Sequence, residues 1–67
     1  MKLNELVIMH NINVKDFAFK MGVSPQAVYE YGKKNSVSLR TVVRASNAFK
    51  TFGVELSPSE IIEKINR

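Results

Sequence analysis

Residues 14–33 constrain the fold most because they contain the start and end signals of two short helices and of the tight turn between them. Their sequence is VKDFAFKMGVSPQAVYEYGK. Ala18 is a small residue at the place where two crossing helices must approach each other. Gly22 stands where the chain leaves the first helix with positive φ, a conformation that costs glycine little. Ser24 and Pro25 then restart the chain, since serine is a good N-cap and proline suits the first helical position. The stretch therefore predicts a helix, a turn and a second helix.

The spacing of apolar residues along the whole chain predicts an all-α fold, a compact bundle of about five short helices in a single domain over residues 1–67. Helices are expected at about residues 3–10, 14–21, 25–31, 39–52 and 58–66. The expected N-caps are Asn13, Ser24, Ser38 and Ser57. Glu60 lies three residues after Ser57 and completes a capping box, which predicts where the last helix begins.

The expected core faces follow the same helical spacing. They consist of Leu3, Leu6, Val7 and His10 on the first helix, Phe17, Ala18 and Met21 on the second, Val28 and Tyr31 on the third, and Val42, Ala45, Ser46, Phe49 and Phe52 on the fourth. On the third helix this assignment leaves Gln26, Tyr29, Glu30 and Lys33 on the opposite side. These four residues are predicted to form an exposed stripe.

Residues 12–31 resemble the helix-turn-helix of the phage Cro and repressor (Xre-like) family, with Asn13 before the first helix and GVS in the turn. The segments GVSPQAV and SVSLRT and the helix through Phe49 are also similar to the lac repressor headpiece. A helix before the motif favours the phage-type architecture. The resemblance covers about three quarters of the chain. It implies a lambda repressor-like DNA-binding domain, with the motif at about residues 14–33.

This resemblance implies a sequence-specific transcriptional regulator that places its third helix in the major groove of an operator. The residues expected to contact bases are Pro25, Gln26, Tyr29 and Glu30. A glutamine amide donates and accepts at once, which matches the N7 and N6 edge of adenine, so Gln26 is the leading base reader. The alternatives are a solvated Gln26 and a Glu30 that pairs with Lys33 or Lys34.

Basic residues concentrate around the motif, where DNA phosphates would lie. Residues 14–50 carry seven basic side chains against two acidic ones, a net charge of +5, whereas residues 1–13 are neutral and residues 51–67 carry −1. The residues expected to contact phosphates are Asn13, Lys15, Ser24, Lys33, Lys34, Asn35, Ser38 and Arg40. For each lysine the alternative is a solvated surface charge.

Three features depart from the phage-type pattern. Val7 stands where the family often has arginine, and Lys34 stands where it often has glycine, while Gly32 comes earlier. The loop after the third helix is therefore expected to be reshaped. The exposed stripe also holds no arginine, so it lacks the commonest strong contact to guanine.

A homodimer, at least on DNA, is expected because proteins of this family usually pair to read two half-sites. The candidate interface is the apolar C-terminal set Phe52, Val54, Leu56, Ile61, Ile62 and Ile65. The alternative is that these residues close a small core, which is favoured for Ile61 and Ile65. A second function class also stays open. It is a protein-binding antirepressor or adaptor that keeps the fold and uses Phe19, Tyr29 and the C-terminal apolar surface.

Composition argues against an enzyme. The chain has no cysteine, and its lone His10 has no carboxylate at ligand spacing, so neither a thiolate nucleophile nor a metal site is expected. The three glycines form no phosphate loop, and no cofactor is expected. The first residues, MKLNEL, contain no long apolar run, so a cytoplasmic protein that joins the nucleoid when bound to DNA is expected.

Overall fold

The computed structural model describes residues 1–31 and 38–65, and within these ranges the chain forms five helices and no strand. The helices are α1 Leu3–Met9, α2 Val14–Met21, α3 Pro25–Glu30, α4 Leu39–Thr51 and α5 Pro58–Ile65. The predicted all-α bundle is confirmed. Three helices end one residue earlier than expected, because His10, Tyr31 and Phe52 have left helical geometry and act as C-caps. Gly32, which directly follows the predicted third helix, lies outside the described residues.

Four of the helices begin at side-chain N-caps, and each cap is the residue that the sequence predicts. Asn13 Oδ1 accepts from the backbone N–H of Lys15 at 2.8 Å, and Ser24 Oγ accepts from the N–H of Ala27 at 3.2 Å. Each bond satisfies a backbone donor that has no partner within its own helix. Ser38 does the same for α4 by accepting from Thr41 at 3.2 Å, and Ser57 for α5 by accepting from Glu60 at 3.3 Å.

Two glycines end helices by the same backbone device. Gly22 has φ +80°, and the N–H of the next residue, Val23, donates to the carbonyl oxygen of Ala18 at 3.0 Å. Gly53 has φ +77°, and Val54 donates to Phe49 at 2.9 Å in the same way. These are Schellman closures, in which a left-handed residue lets the chain turn back over the last helical carbonyls. The predicted positive φ at Gly22 is confirmed.

The hydrophobic core centres on α2, which packs against α1, α3 and α4. The rings of Phe17 and Phe49 lie 4.7 Å apart between their centroids, and both side chains are fully buried. His10 is half-buried with its ring edge-on to Phe49 at 5.8 Å, which is a packing role. Helix α5 closes the bundle against α4 and α1 with buried Ile61 and Ile65. Within residues 1–31 and 38–65, no helix is both long and apolar enough to cross a membrane.

Candidate nucleic-acid interface

Helix α3 presents Gln26, Tyr29 and Glu30 to solvent from one side, which we call the outer face of α3. Its opposite side carries Val28, which is fully buried, and Ala27, which is half-buried. The sequence predicts this division, with the correction that Tyr31 is half-buried at the C-cap rather than fully buried within the helix. Lys33, predicted to extend the stripe, lies outside the described residues. The confirmed part of the stripe is therefore one turn of helix.

Tertiary packing positions α3, because a helix of six residues is far below the length that is stable alone in water. Val28 anchors it, and the helix packs against α1 and α2. The backbone N–H of Leu3 also donates to the carbonyl of Tyr31 at 3.4 Å, which ties the end of α3 to the start of α1. Ser24 and Pro25 fix the other end through the cap and the restricted φ of proline. Short as it is, α3 is held at both ends.

The three side chains of the outer face differ in hydrogen-bonding capacity. Gln26 carries two N–H donors and a carbonyl acceptor, Tyr29 a single hydroxyl, and Glu30 only acceptors when ionised. Within the described part of the chain, the Gln26 side chain makes no hydrogen bond to another residue. Tyr29 exposes 45% of its surface. As far as the described residues show, the amide of Gln26 is therefore available to a ligand.

The candidate phosphate contacts in the described residues lie at helix N-termini. Asn13, Ser24 and Ser38 are all exposed and act as N-caps, so the side-chain oxygen of each is already engaged by its own helix. Lys15 and Arg40 each lie in the first turn of a helix, α2 and α4 respectively, and are exposed. The predicted contacts Lys33, Lys34 and Asn35 lie outside the described residues.

The six C-terminal apolar residues expected at a dimer interface lie in or against the protein's own core. Leu56, Ile61 and Ile65 are buried at 7%, 0% and 8% exposure, whereas Phe52, Val54 and Ile62 are half-buried and pack against that core. Burial of Ile61 and Ile65 agrees with the alternative that they close the bundle. A second copy could touch only the partly exposed surfaces of the other three.

Several exposed apolar side chains lie elsewhere, and Phe19 and Tyr29 are the two among them that the sequence predicts to contact a partner. Phe19 on α2 exposes 79% of its surface, and Leu39 and Val43 on α4 expose 65% and 40%. Leu39 and Val43 lie one turn apart beside Arg40. Helical spacing does not predict this exposure, because Leu39 and Val43 share an i, i+3, i+4, i+7 pattern with Val42 and Ser46, which are buried.

The described residues contain no group of three His, Cys, Asp or Glu side chains placed to hold a metal ion. Comparison of the chain with models of known protein families, with curated proteins and with solved structures gives no match. A function for this chain must therefore be argued from its own residues.

Proposed function

We propose that this protein is a sequence-specific DNA-binding transcriptional regulator of the Cro and repressor type that inserts α3 into the major groove of an operator. The observation that carries the proposal is the outer face of α3, where Gln26, Tyr29 and Glu30 project into solvent from a helix anchored by buried Val28. A B-DNA major groove is about 12 Å wide and admits one α-helix, whose side chains then meet the base edges. The glycine turn before α3 is what a helix-turn-helix requires.

In this proposal each exposed side chain of α3 makes a different contact with the DNA. Gln26 contacts adenine, with its oxygen accepting from N6–H and its nitrogen donating to N7. Tyr29 packs on a thymine methyl or donates to a phosphate, and Glu30 accepts from cytosine N4. Pro25, exposed at the first helical position, offers apolar contact only.

Phosphate contacts would set the orientation of α3 in the groove, because backbone contacts fix register without reading sequence. The starts of α2 and α4 lie beside exposed Asn13 and Ser38, and the positive ends of the helix dipoles favour an anion there. Lys15 and Arg40 add mobile positive charge close to those helix starts. The net charge of +5 over residues 14–50 supplies the long-range attraction.

A homodimer on DNA fits the small size of this interface. One six-residue helix without arginine offers few strong base contacts, and two copies on adjoining half-sites would double them. Occupancy of such a site would block or redirect a promoter. Sedimentation of the protein with and without a two-half-site duplex tests this part of the proposal, which predicts two protein copies per duplex.

Selection from a random duplex library at about 150 mM salt tests the proposal as a whole, because specific binding survives where nonspecific attraction has faded. We expect enrichment of a two-fold symmetric motif whose half-sites lie about one helical turn apart. Enrichment of no sequence by the folded protein would contradict the proposal. Circular dichroism of the same preparation establishes that the protein is folded.

Phe19 favours a second candidate function, a protein-binding antirepressor or adaptor. A phenylalanine that is 79% exposed on α2 offers apolar surface that a protein partner would bury. Under this function the protein selects no DNA sequence but binds another protein, and Phe19→Ser abolishes that binding. Lys20→Ser, a change at the neighbouring exposed position, is the matched control and should leave the binding intact.

A further inference from the structure

We infer that N6-methylation of adenine in the operator weakens binding of this protein, so that the outer face of α3 distinguishes methylated from unmethylated DNA. The inference rests on the proposed function and adds a chemical signal that would regulate it. It follows from the exposed amide of Gln26 and from the lack of a lysine or arginine on α3.

Gln26 is the only residue of α3 whose side chain both donates and accepts through two separate atoms. It is exposed, lies next to exposed Pro25 and half-buried Ala27, and makes no hydrogen bond inside the described protein. A bidentate contact on a base edge therefore falls to Gln26. Adenine, with an N7 acceptor beside an N6–H donor, is the base whose major-groove edge pairs with an amide.

The contact to N6 depends on one particular hydrogen atom. In a base pair, one N6–H of adenine bonds to thymine, and the other points into the major groove beside N7. Methylation of a paired N6 replaces the groove-facing hydrogen, because the other is needed for pairing. The Gln26 oxygen would then face a methyl group, and the amide would lose its N6 contact and be pushed from N7.

No other side chain of α3 can replace the bidentate contact. The helix PQAVYE carries no lysine or arginine that could hold N7, Glu30 would also need a base N–H donor, and Tyr29 carries a single hydroxyl. A buried polar atom left without a partner at an interface costs more than the bond itself contributes. The expected penalty is the worth of one bidentate pair, about 5- to 150-fold in affinity for each half-site adenine read by Gln26.

The test uses the duplex enriched from the random library, synthesised with N6-methyladenine at each adenine in turn. Fluorescence anisotropy measures the Kd for the wild type, Gln26→Ala and Glu30→Ala. Methylation at one adenine per half-site should weaken the wild type at least about 5-fold. The same methylation should leave the Kd of Gln26→Ala unchanged, because this variant has no side-chain amide to contact N6. Glu30→Ala should keep the sensitivity to methylation.

Two results would overturn the inference while leaving DNA binding intact. One is specific binding by the wild type with no methyl-sensitive adenine. The other is a methyl effect that persists in Gln26→Ala or disappears in Glu30→Ala, since the contact would then belong to another group. Failure of the wild type to enrich any duplex is a different result, because it contradicts the proposed function, and the inference falls with it.

Discussion

Helices α3 and α5 begin with the same two residues yet are stabilised in different ways. Ser24-Pro25 and Ser57-Pro58 both place a serine cap before a proline at the first helical position. In α5 the start is closed reciprocally, since Glu60 donates its N–H to Ser57 Oγ at 3.3 Å and accepts from the Ser57 N–H at 3.4 Å. In α3 the corresponding third position is Ala27, which offers no side-chain return.

The same contrast continues along the two helices. Helix α5 buries Ile61 and Ile65, whereas Val28 is the one fully buried residue of α3. The first turn of α5 thus has two reciprocal capping bonds, and the apolar side of the helix fills the core. Helix α3 has one side-chain cap, Ser24, and one fully buried residue, Val28, and its polar side chains face solvent. A shared start therefore does not determine how a helix is held, because the residues that follow decide how much of it is buried.

The largest expected effect concerns the core side of this comparison. Ile61→Ala should destabilise the protein by about 2–5 kcal/mol, because it removes a fully buried side chain and leaves a cavity between α5 and its neighbours. Urea denaturation followed by circular dichroism measures the loss. A loss below that of Val28→Ala, which removes less apolar volume, would contradict the assignment of α5 to the core.

The next effect falls on the outer face of α3. Gln26→Ala should weaken binding to the enriched duplex by about 1–3 kcal/mol, the worth of a bidentate base contact. Its free energy of unfolding should match the wild type, since Gln26 is exposed and makes no hydrogen bond within the described residues. Anisotropy titrations on the enriched and a scrambled duplex measure the two affinities. Equal losses on both duplexes would remove Gln26 as a base reader.

The two serine caps give a smaller and more informative pair of effects. Ser24→Ala and Ser57→Ala should each cost about 1 kcal/mol of stability, because each leaves a backbone N–H without its partner. Aspartate is also a good N-cap, so Ser24→Asp and Ser57→Asp should keep the stability, as measured by urea denaturation. Their effects on DNA should differ. Only Ser24→Asp places negative charge beside the proposed phosphate contacts, and it alone should weaken binding to all duplexes.

The smallest expected effect tests whether Phe19 lies outside the DNA-binding surface. Phe19→Ser should change the free energy of unfolding by less than about 0.5 kcal/mol, because the ring is 79% exposed. The affinity for the enriched duplex should also stay unchanged, since Phe19 has no part in the proposed DNA contacts. Anisotropy with the same duplex measures it. A large loss of DNA affinity would mean that Phe19 contacts DNA and that the proposed interface is wrong.

Local chemistry accounts for the parts of the fold that the sequence predicts well. The caps at Asn13, Ser24 and Ser38 and the left-handed turn at Gly22 depend on residues within one turn of each other, so they can be inferred from spacing alone. The outer face of α3 was predictable for a similar reason. Once Val28 is assigned to the core, helical geometry places Gln26 and its neighbours on the opposite side.

Tertiary packing decides what the sequence could not predict. The apolar spacing of α5 predicts that one side is covered, but it does not distinguish the protein's own core from a partner, and Ile61 and Ile65 turn out to lie in the core. The exposure of Leu39 and Val43 depends likewise on which side of α4 meets α2 and α5. Helix ends differ by one residue because helix termini fray, so apolar spacing does not fix the last helical residue.

Parallel library selection with the wild type and Gln26→Ala tests whether the outer face of α3 reads bases through Gln26. We predict that both proteins enrich related motifs and that the variant loses its preference for adenine at one position in each half-site. Unchanged preference at every position would contradict this prediction, because the motif would then be read by residues other than Gln26.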